Sequence, residues 1–232
     1  MGRGAMNEEI AFLTVTGLAI VRALPVTVVL ALTSALGASA VAVALVAAQA
    51  TRVGRPLAQV WIFVFRGTPL LLQMFMVYYG LAAVGPIRHG LLWPLFRDPL
   101  FCAFAAMTCC CSAYIAEVLR AAWQAIPPGQ VEAAQACGMS RWTRVRRVIA
   151  PQMLRLALPA YGNELVMLIK STSLASTITV LDVTGVAQTL IAHSYRTLEV
   201  FCLAAAVYLG LTAGLTALLR RIERNLERGT GR

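Results

Sequence analysis

From Leu24 to Ala48 the chain runs for 25 residues without a charged side chain. At 1.5 Å of rise per residue a helix of that length measures about 38 Å, enough to cross a hydrocarbon core of about 30 Å. A helix on a soluble core needs only one apolar stripe, whereas this run is apolar all round. The rest of the chain does not supply the polar cover it would need in water: charged residues are 13% of the 232 and the mean hydropathy is +0.74. Four further apolar stretches have spanning length, at about residues 59–84, 100–122, 156–181 and 200–219. The fold class that follows is an all-α integral membrane protein with about five transmembrane helices.

The stretch 59–84 carries Arg66, Gly67 and Pro69 in its first third, an interruption that a membrane tolerates where the backbone faces protein or water. Residues 1–22 are expected as an outer N-terminal segment, its mildly apolar part 10–22 lying along the membrane surface, and 222–232 as a tail. The net charge of +10 raises nucleic acid as a partner, but the basic residues stand between the apolar stretches and form no patch interleaved with aromatics. Nucleic acid is therefore excluded. Placing the Arg52–Arg55 loop, residues 126–151 and the C-terminus in the cytoplasm puts 14 of the 20 basic residues inside and five outside, with Lys170 in the membrane. The positive-inside rule then sets the N-terminus outside and the C-terminus in the cytoplasm. Five of the six cysteines fall in apolar runs without CxxC spacing, and the two histidines, His89 and His193, stand alone. Small buried packers explain these cysteines, no metal site or cofactor is implied, and Cys137 is the one expected within reach of a thiol reagent.

Residues 126–151 are the largest polar interruption. Ile126-Pro127-Pro128-Gly129-Gln130 opens a helix, because proline suits the first turn, and Gly138 closes it. A short helix, a turn and a second, basic helix follow, with Glu132 expected in the first turn, where the dipole favours a carboxylate. Such a segment must be held in water, where another protein docks. Glu132-Ala133-Ala134, Gly138, Val148 and Ala150-Pro151 resemble the EAA signature of permease subunits of bacterial ATP-binding-cassette importers, with Val148 and Ala150 departing from its usual Ile and Leu. Arg66-Gly67-Thr68-Pro69-Leu70-Leu71, Ala113-Tyr114 with Glu117 and Arg120, and Leu168 to Leu174 are similar to the polar amino-acid branch of that family, the matches together covering about residues 25–225.

The resemblance implies a permease domain over 23–221 in the bacterial inner membrane, with 126–151 as a coupling loop in which Glu132, Ala133, Ala134 and Gly138 meet an ATPase. It implies two copies of a cassette ATPase, a second permease subunit, identical or paralogous, and a periplasmic or lipid-anchored solute-binding protein. The solute class it implies is polar amino acids; Val180 to Gln188 and Ser194 to Thr197 look most like permeases for basic amino acids and opines. The chain has no GxxxxGK[ST] loop, since Ile169 precedes its only lysine, so it is no enzyme and ATP belongs to the partner.

Candidate path residues are the polar groups inside the apolar stretches: Arg66, Glu117, Asn163, Glu164, Lys170, Thr172 and Ser173. In a continuous helix over 156–181, Asn163, Val166, Lys170 and Ser173 share one seam, with Glu164 on the next. An intramembrane charge is costly unless paired or hydrated, so two readings stand: Lys170 and Glu164 line a wet path, or they pair with neighbours such as Glu117. Glu117 and Arg120, three apart, read as a helix-end ion pair. Arg66 belongs either to the kink or to the path wall, and Arg141, Arg144, Arg146 and Arg147 face either the partner or anionic headgroups. The alternative machine is an ion-coupled secondary transporter using Glu117 and Glu164. It would need no docking helix and would show internal repeats.

Overall fold

The uncharged run folds as the helix Leu24–Ala48 in a computed structural model that describes residues 3–91 and 93–228, with side chains described for 7–91 and 93–225. The extreme ends of the expected outer segment and tail, residues 1–2 and 229–232, and residue 92 lie outside the described residues. A one-residue turn at Ala23 joins Leu24–Ala48 to the preceding helix Arg3–Arg22. From Asn7 to Ala48 the two form 42 residues of spanning composition, about 63 Å at 1.5 Å each, twice a hydrocarbon core. The first of them packs along Thr16 and Ile20, and its outward side is itself apolar, with Ile10, Leu13, Leu18 and Val21 exposed. That surface suits lipid better than water.

No strand occurs among the described residues. Asn7–Ala48, Pro99–Gln124 and Thr197–Asn225 are long and apolar enough to cross a membrane, and two broken pairs, Gly54–Gly67 with Leu70–Ala83 and Arg141–Ile178 with Val183–Ser194, bring the count to five if each pair is one span. The first break is written in the sequence. Thr68 is extended at φ −113° and ψ 143° because the following proline disfavours the helical region, and Pro69, also extended, starts the next helix. Between Leu70–Ala83 and Pro99–Gln124 stand two short helices, Gly85–Arg88 and Trp93–Phe96.

The expected straight helix over 156–181 is not what forms. The α-helix Ala150–Ser171 tightens into a 3-10 segment, Thr172–Ile178, which ends at a left-handed Thr179 with φ 70°. Its hydroxyls explain this: Thr172, Ser173, Ser176 and Thr177 donate to the carbonyls of Ile169, Lys170, Ser173 and Leu174, each three residues back. Such side-chain bonds compete with the α-helical ladder. Nor is the basic helix a separate element. Arg141–Arg144 continues through a π turn at Val145–Ile149 into Ala150–Ser171; no glycine or proline breaks it before Pro151, and the π turn falls directly ahead of that proline, whose missing N–H interrupts the regular ladder.

The chain divides into two compact units. One is drawn from the segments up to Ala35, Pro69–Met107 and Met167–Gly214, the other from Leu36–Thr68, Thr108–Val166 and Leu215 onward. In the first, Ile20, Ala23, Val183, Ala187, Val200 and Ala204 form a buried apolar cluster. Beside it Asp182, fully buried, caps the helix Val183–Ser194 by accepting from Gly185 N at 2.8 Å, and accepts from the Tyr208 hydroxyl at 2.8 Å. The Val183 N–H donates to Thr27 Oγ1 at 3.2 Å, so three segments meet at one helix start. Gly185 is required here: a Cβ would stand 2.3 Å from the Val180 carbonyl oxygen. In the second unit, Ser39 and Tyr161 hydroxyls lie 2.8 Å apart and Trp61 Nε1 donates to Ser112 Oγ at 3.1 Å. Cys102, Cys110 and Cys111 are buried and all six cysteines are unbridged, but Cys202 is exposed as well as Cys137, a departure from the expected packing role. It shares an apolar exposed surface of Thr197–Arg228 with Leu198 and Phe201, where a thiol needs no burial by protein if lipid covers it.

Candidate docking helix and charged cleft

Pro127, with φ −57° and ψ 127°, precedes a helix Pro128–Ala136 that has Pro128 at its first position. The helix ends as Gly138 requires. Gly138 takes φ +75°, its N–H donates to the Gln135 carbonyl at 3.0 Å, and the Met139 N–H reaches back to the Ala134 carbonyl at 3.1 Å. This pair of bonds is a Schellman closure. Because the helix begins at Pro128, Glu132 stands in the second turn and not the first, and the dipole argument for it lapses. Glu132 and Ala133 are exposed, whereas Ala134 is buried at 5%. The helix therefore offers Glu132 and Ala133 outward and uses Ala134 for its own packing. Glu132 has no hydrogen-bond or ion-pair partner among the described residues. It also borders a cavity of about 410 Å³ with Trp123, Val131 and Ile149. After the turn, Ser140 caps the basic segment by accepting from Thr143 N at 3.2 Å, and Arg144 reaches Gln135 at 3.4 Å, tying the two sides together. Arg141, Arg146 and Arg147 remain exposed.

The second feature is a charged cleft. Arg120 grips Glu117 side-on, Nε to Oε1 at 3.0 Å and Nη2 to Oε2 at 2.6 Å, while its Nη1 reaches Gln124 at 3.2 Å. The helix-end pair expected from the spacing is therefore present, a geometry that a Glu placed before an Arg favours. Arg66 approaches the same Oε2 only to 3.8 Å and lies over the Tyr114 ring, 5.1 Å from its centroid. These groups line a cavity of about 800 Å³ with Arg55, Gln59 and Trp123. An adjoining cavity of about 510 Å³ is also lined by Arg66, Tyr114, Glu117 and Arg120, and adds Glu164.

Of the candidate path residues, Arg66, Glu117 and Glu164 are thus brought together. Asn163, Lys170, Thr172 and Ser173 line neither cavity. Lys170 is exposed on this chain, and both Glu117 oxygens are held by Arg120. Thr172 is fully buried, its hydroxyl spent on the Ile169 carbonyl, and Ser173 falls in the 3-10 segment, off the seam that an α-helix would have made. Arg55 and Gln59 were not singled out from the sequence, although their spacing to Ile62 and Arg66, i, i+4, i+7, i+11, marks one helix face. Asp182 also carried a readable signal, an acid between apolar residues followed by Val183-Thr184-Gly185, the pattern of an N-cap.

Residues 40–231 match the family described as binding-protein-dependent transport system inner membrane component. The chain belongs to that family. The permease is 48% identical over 166 residues to the octopine transport system permease protein OccM of Rhizobium radiobacter, covering 72% of this chain and 68% of that one. It is 44% identical over 204 residues to the nopaline transport system permease protein NocM of Agrobacterium fabrum, covering 87% and 85%. Its fold matches a crystal structure of an amino acid ABC transporter with a TM-score of 0.80 at 28% identity, covering 97% of this chain and 99% of that one. The permease is therefore an inner-membrane transport subunit of an ATP-binding-cassette system, and the ion-coupled alternative built on Glu117 and Glu164 is set aside.

Proposed function

We propose that the permease forms, with a second permease subunit, the path by which an ATP-driven importer carries polar amino acids, and opines in particular, across the inner membrane. Two copies of a cassette ATPase bind the 126–151 loop through Glu132, Ala133 and the turn at Gly138, and a periplasmic or lipid-anchored binding protein delivers the solute. The observation that carries this reading is the docking helix: an exposed, unpaired carboxylate beside a small side chain, on a helix fixed at one end by proline and at the other by a Schellman closure. The names of the similar permeases, which speak of octopine and nopaline, support the solute class. On this reading the permease domain is 23–221, the N-terminal segment 1–22 lies outside and the tail 222–232 in the cytoplasm. Arg66, Glu117 and Glu164 contribute to the path wall, and Asn163, Lys170, Thr172 and Ser173 border it in the assembled transporter. ATP is bound and hydrolysed by the partner, and the permease needs no cofactor.

Reconstitution with the ATPase and binding protein in proteoliposomes tests the function: ATP-dependent uptake of radiolabelled octopine or arginine is expected, and no uptake of either would overturn the solute class. Orientation is tested separately. A reporter active only outside the cytoplasm is expected to work when fused after Pro86 or Ser194 and to be silent after Met139 or at the C-terminus; activity after Met139 would reverse the topology and remove the docking helix from the ATPase.

A further inference from the structure

Three arginines and one glutamate line the 800 Å³ cleft, and the three are not equivalent. Arg120 has spent its fork on Glu117 and its remaining arm on Gln124. Arg66 has not. Its guanidinium carries five N–H donors, yet its nearest carboxylate oxygen is at 3.8 Å, beyond hydrogen-bond distance. It is held from below by the Tyr114 ring, and 44% of its side chain is exposed to the open cleft. A fork fixed in direction by an aromatic face, with free donors facing an open cleft, is a bidentate receptor for a carboxylate, and Glu164 in the adjoining cavity sets the side from which a carboxylate does not approach. Arg55, on the same face of Gly54–Gly67 about 16 Å along the helix, adds field at the far end of the cleft.

We propose that Arg66 binds the carboxylate of the transported solute inside the permease, with the Glu117–Arg120 pair as its positioning support, so that the permease itself favours solutes richer in carboxylate. The inference rests on the importer reading above and adds a residue and a chemical rule to it. Glu117 holds Arg120 to one side, which leaves the face of Arg66 that looks into the cleft open to a ligand. An opine carries a second carboxylate on the substituent of its α-nitrogen, so octopine, arginine and agmatine form a series of two, one and no carboxylates on a shared guanidinium-bearing chain.

The test is competition binding of these three compounds to the permease–ATPase complex in nanodiscs without the binding protein. Octopine is expected to bind best and agmatine least. Arg66→Gln is expected to weaken octopine and arginine about tenfold or more, the loss of a charge-assisted fork, while agmatine stays within about twofold. Arg66→Lys, which keeps the charge and loses the fork, recovers part of the loss. An unchanged order of affinities in Arg66→Gln overturns the assignment, as does an equal loss for all three compounds. If Arg66→Gln does not assemble with the ATPase, Arg66→Lys decides: an octopine-to-agmatine ratio equal to that of the unaltered complex overturns the proposal. A complex that binds none of the three yet imports octopine when the binding protein is supplied also overturns it, with the importer reading left standing. Failure of import with every component present strikes the importer reading instead.

Discussion

Replacing Glu132 by lysine is expected to abolish solute uptake while the protein stays in the membrane at its normal level. Nothing inside the chain is lost: Glu132 is exposed, has no partner among the described residues, and stands mid-helix between Val131 and Ala133. A change at such a place leaves the fold within about 0.5 kcal/mol, so an effect on transport must come from what the side chain meets outside. Reversing a charge at a docking contact costs several kcal/mol through repulsion and a partner charge left unpaired. Glu132→Gln removes the charge without reversing it and is expected to retain part of the uptake. The neighbouring test is Gly138→Val. A Cβ at 138 meets no atom within 4 Å, so its cost lies in the positive φ alone, about 1–3 kcal/mol for a side chain in that region. It is expected to loosen the Schellman closure and lower uptake without preventing insertion. Co-purification of the ATPase with Glu132→Lys at the normal ratio, together with normal uptake, would remove the helix from the coupling role.

The two ends of the helix Pro128–Ala136 were legible because each is a local event: prolines at one end and a glycine at the other. The spanning stretches were legible for a similar reason, since lipid imposes an apolar composition residue by residue. The cleft was legible only in part. Glu117 and Arg120 are three apart on one helix, but Arg66 and Tyr114 are separated by 48 positions, and only the packing of Gly54–Gly67 brings the guanidinium over the ring. The cluster Lys170 to Thr177 was legible as polar, but its bonding was not. A dense run of hydroxyls inside an apolar stretch reads as the lining of a wet path, and most of these hydroxyls are spent on backbone carbonyls three residues back. Local side-chain bonding and path lining leave the same trace in a sequence. Ala134 shows the same limit on a smaller scale: beside Ala133 it reads as contact surface, and one step around the helix turns it inward.

Asp182→Ala is expected to be the most destabilising single change in the first unit, lowering stability by about 2–4 kcal/mol from the lost cap, the stranded Gly185 N–H and the lost Tyr208 bond. Asp182 is fully buried; its Oδ1 takes the Gly185 N–H and its Oδ2 the Tyr208 hydroxyl, each at 2.8 Å. Removing it strands the Gly185 N–H at the start of Val183–Ser194, directly after the 3-10 segment and the left-handed Thr179, where the backbone already lacks an α-helical ladder. Tyr208 keeps the Thr184 hydroxyl, 3.1 Å away, whereas the Thr27 hydroxyl is engaged by Val183 N and cannot turn to Gly185. Asp182→Asn keeps an oxygen for Gly185, and Tyr208 can turn to accept from the new amide, so it is expected to cost less than half as much. Tyr208→Phe removes one partner only. The melting temperature of the detergent-purified protein should then fall most for Asp182→Ala, least for Asp182→Asn, and by less than the sum of the single changes in the Asp182→Ala, Tyr208→Phe double variant, because the two share one hydrogen bond. Additive effects, or an unchanged melting temperature in Asp182→Ala, would show that the helix start is held by its apolar contacts at Val183 and Ala187 and not by this carboxylate.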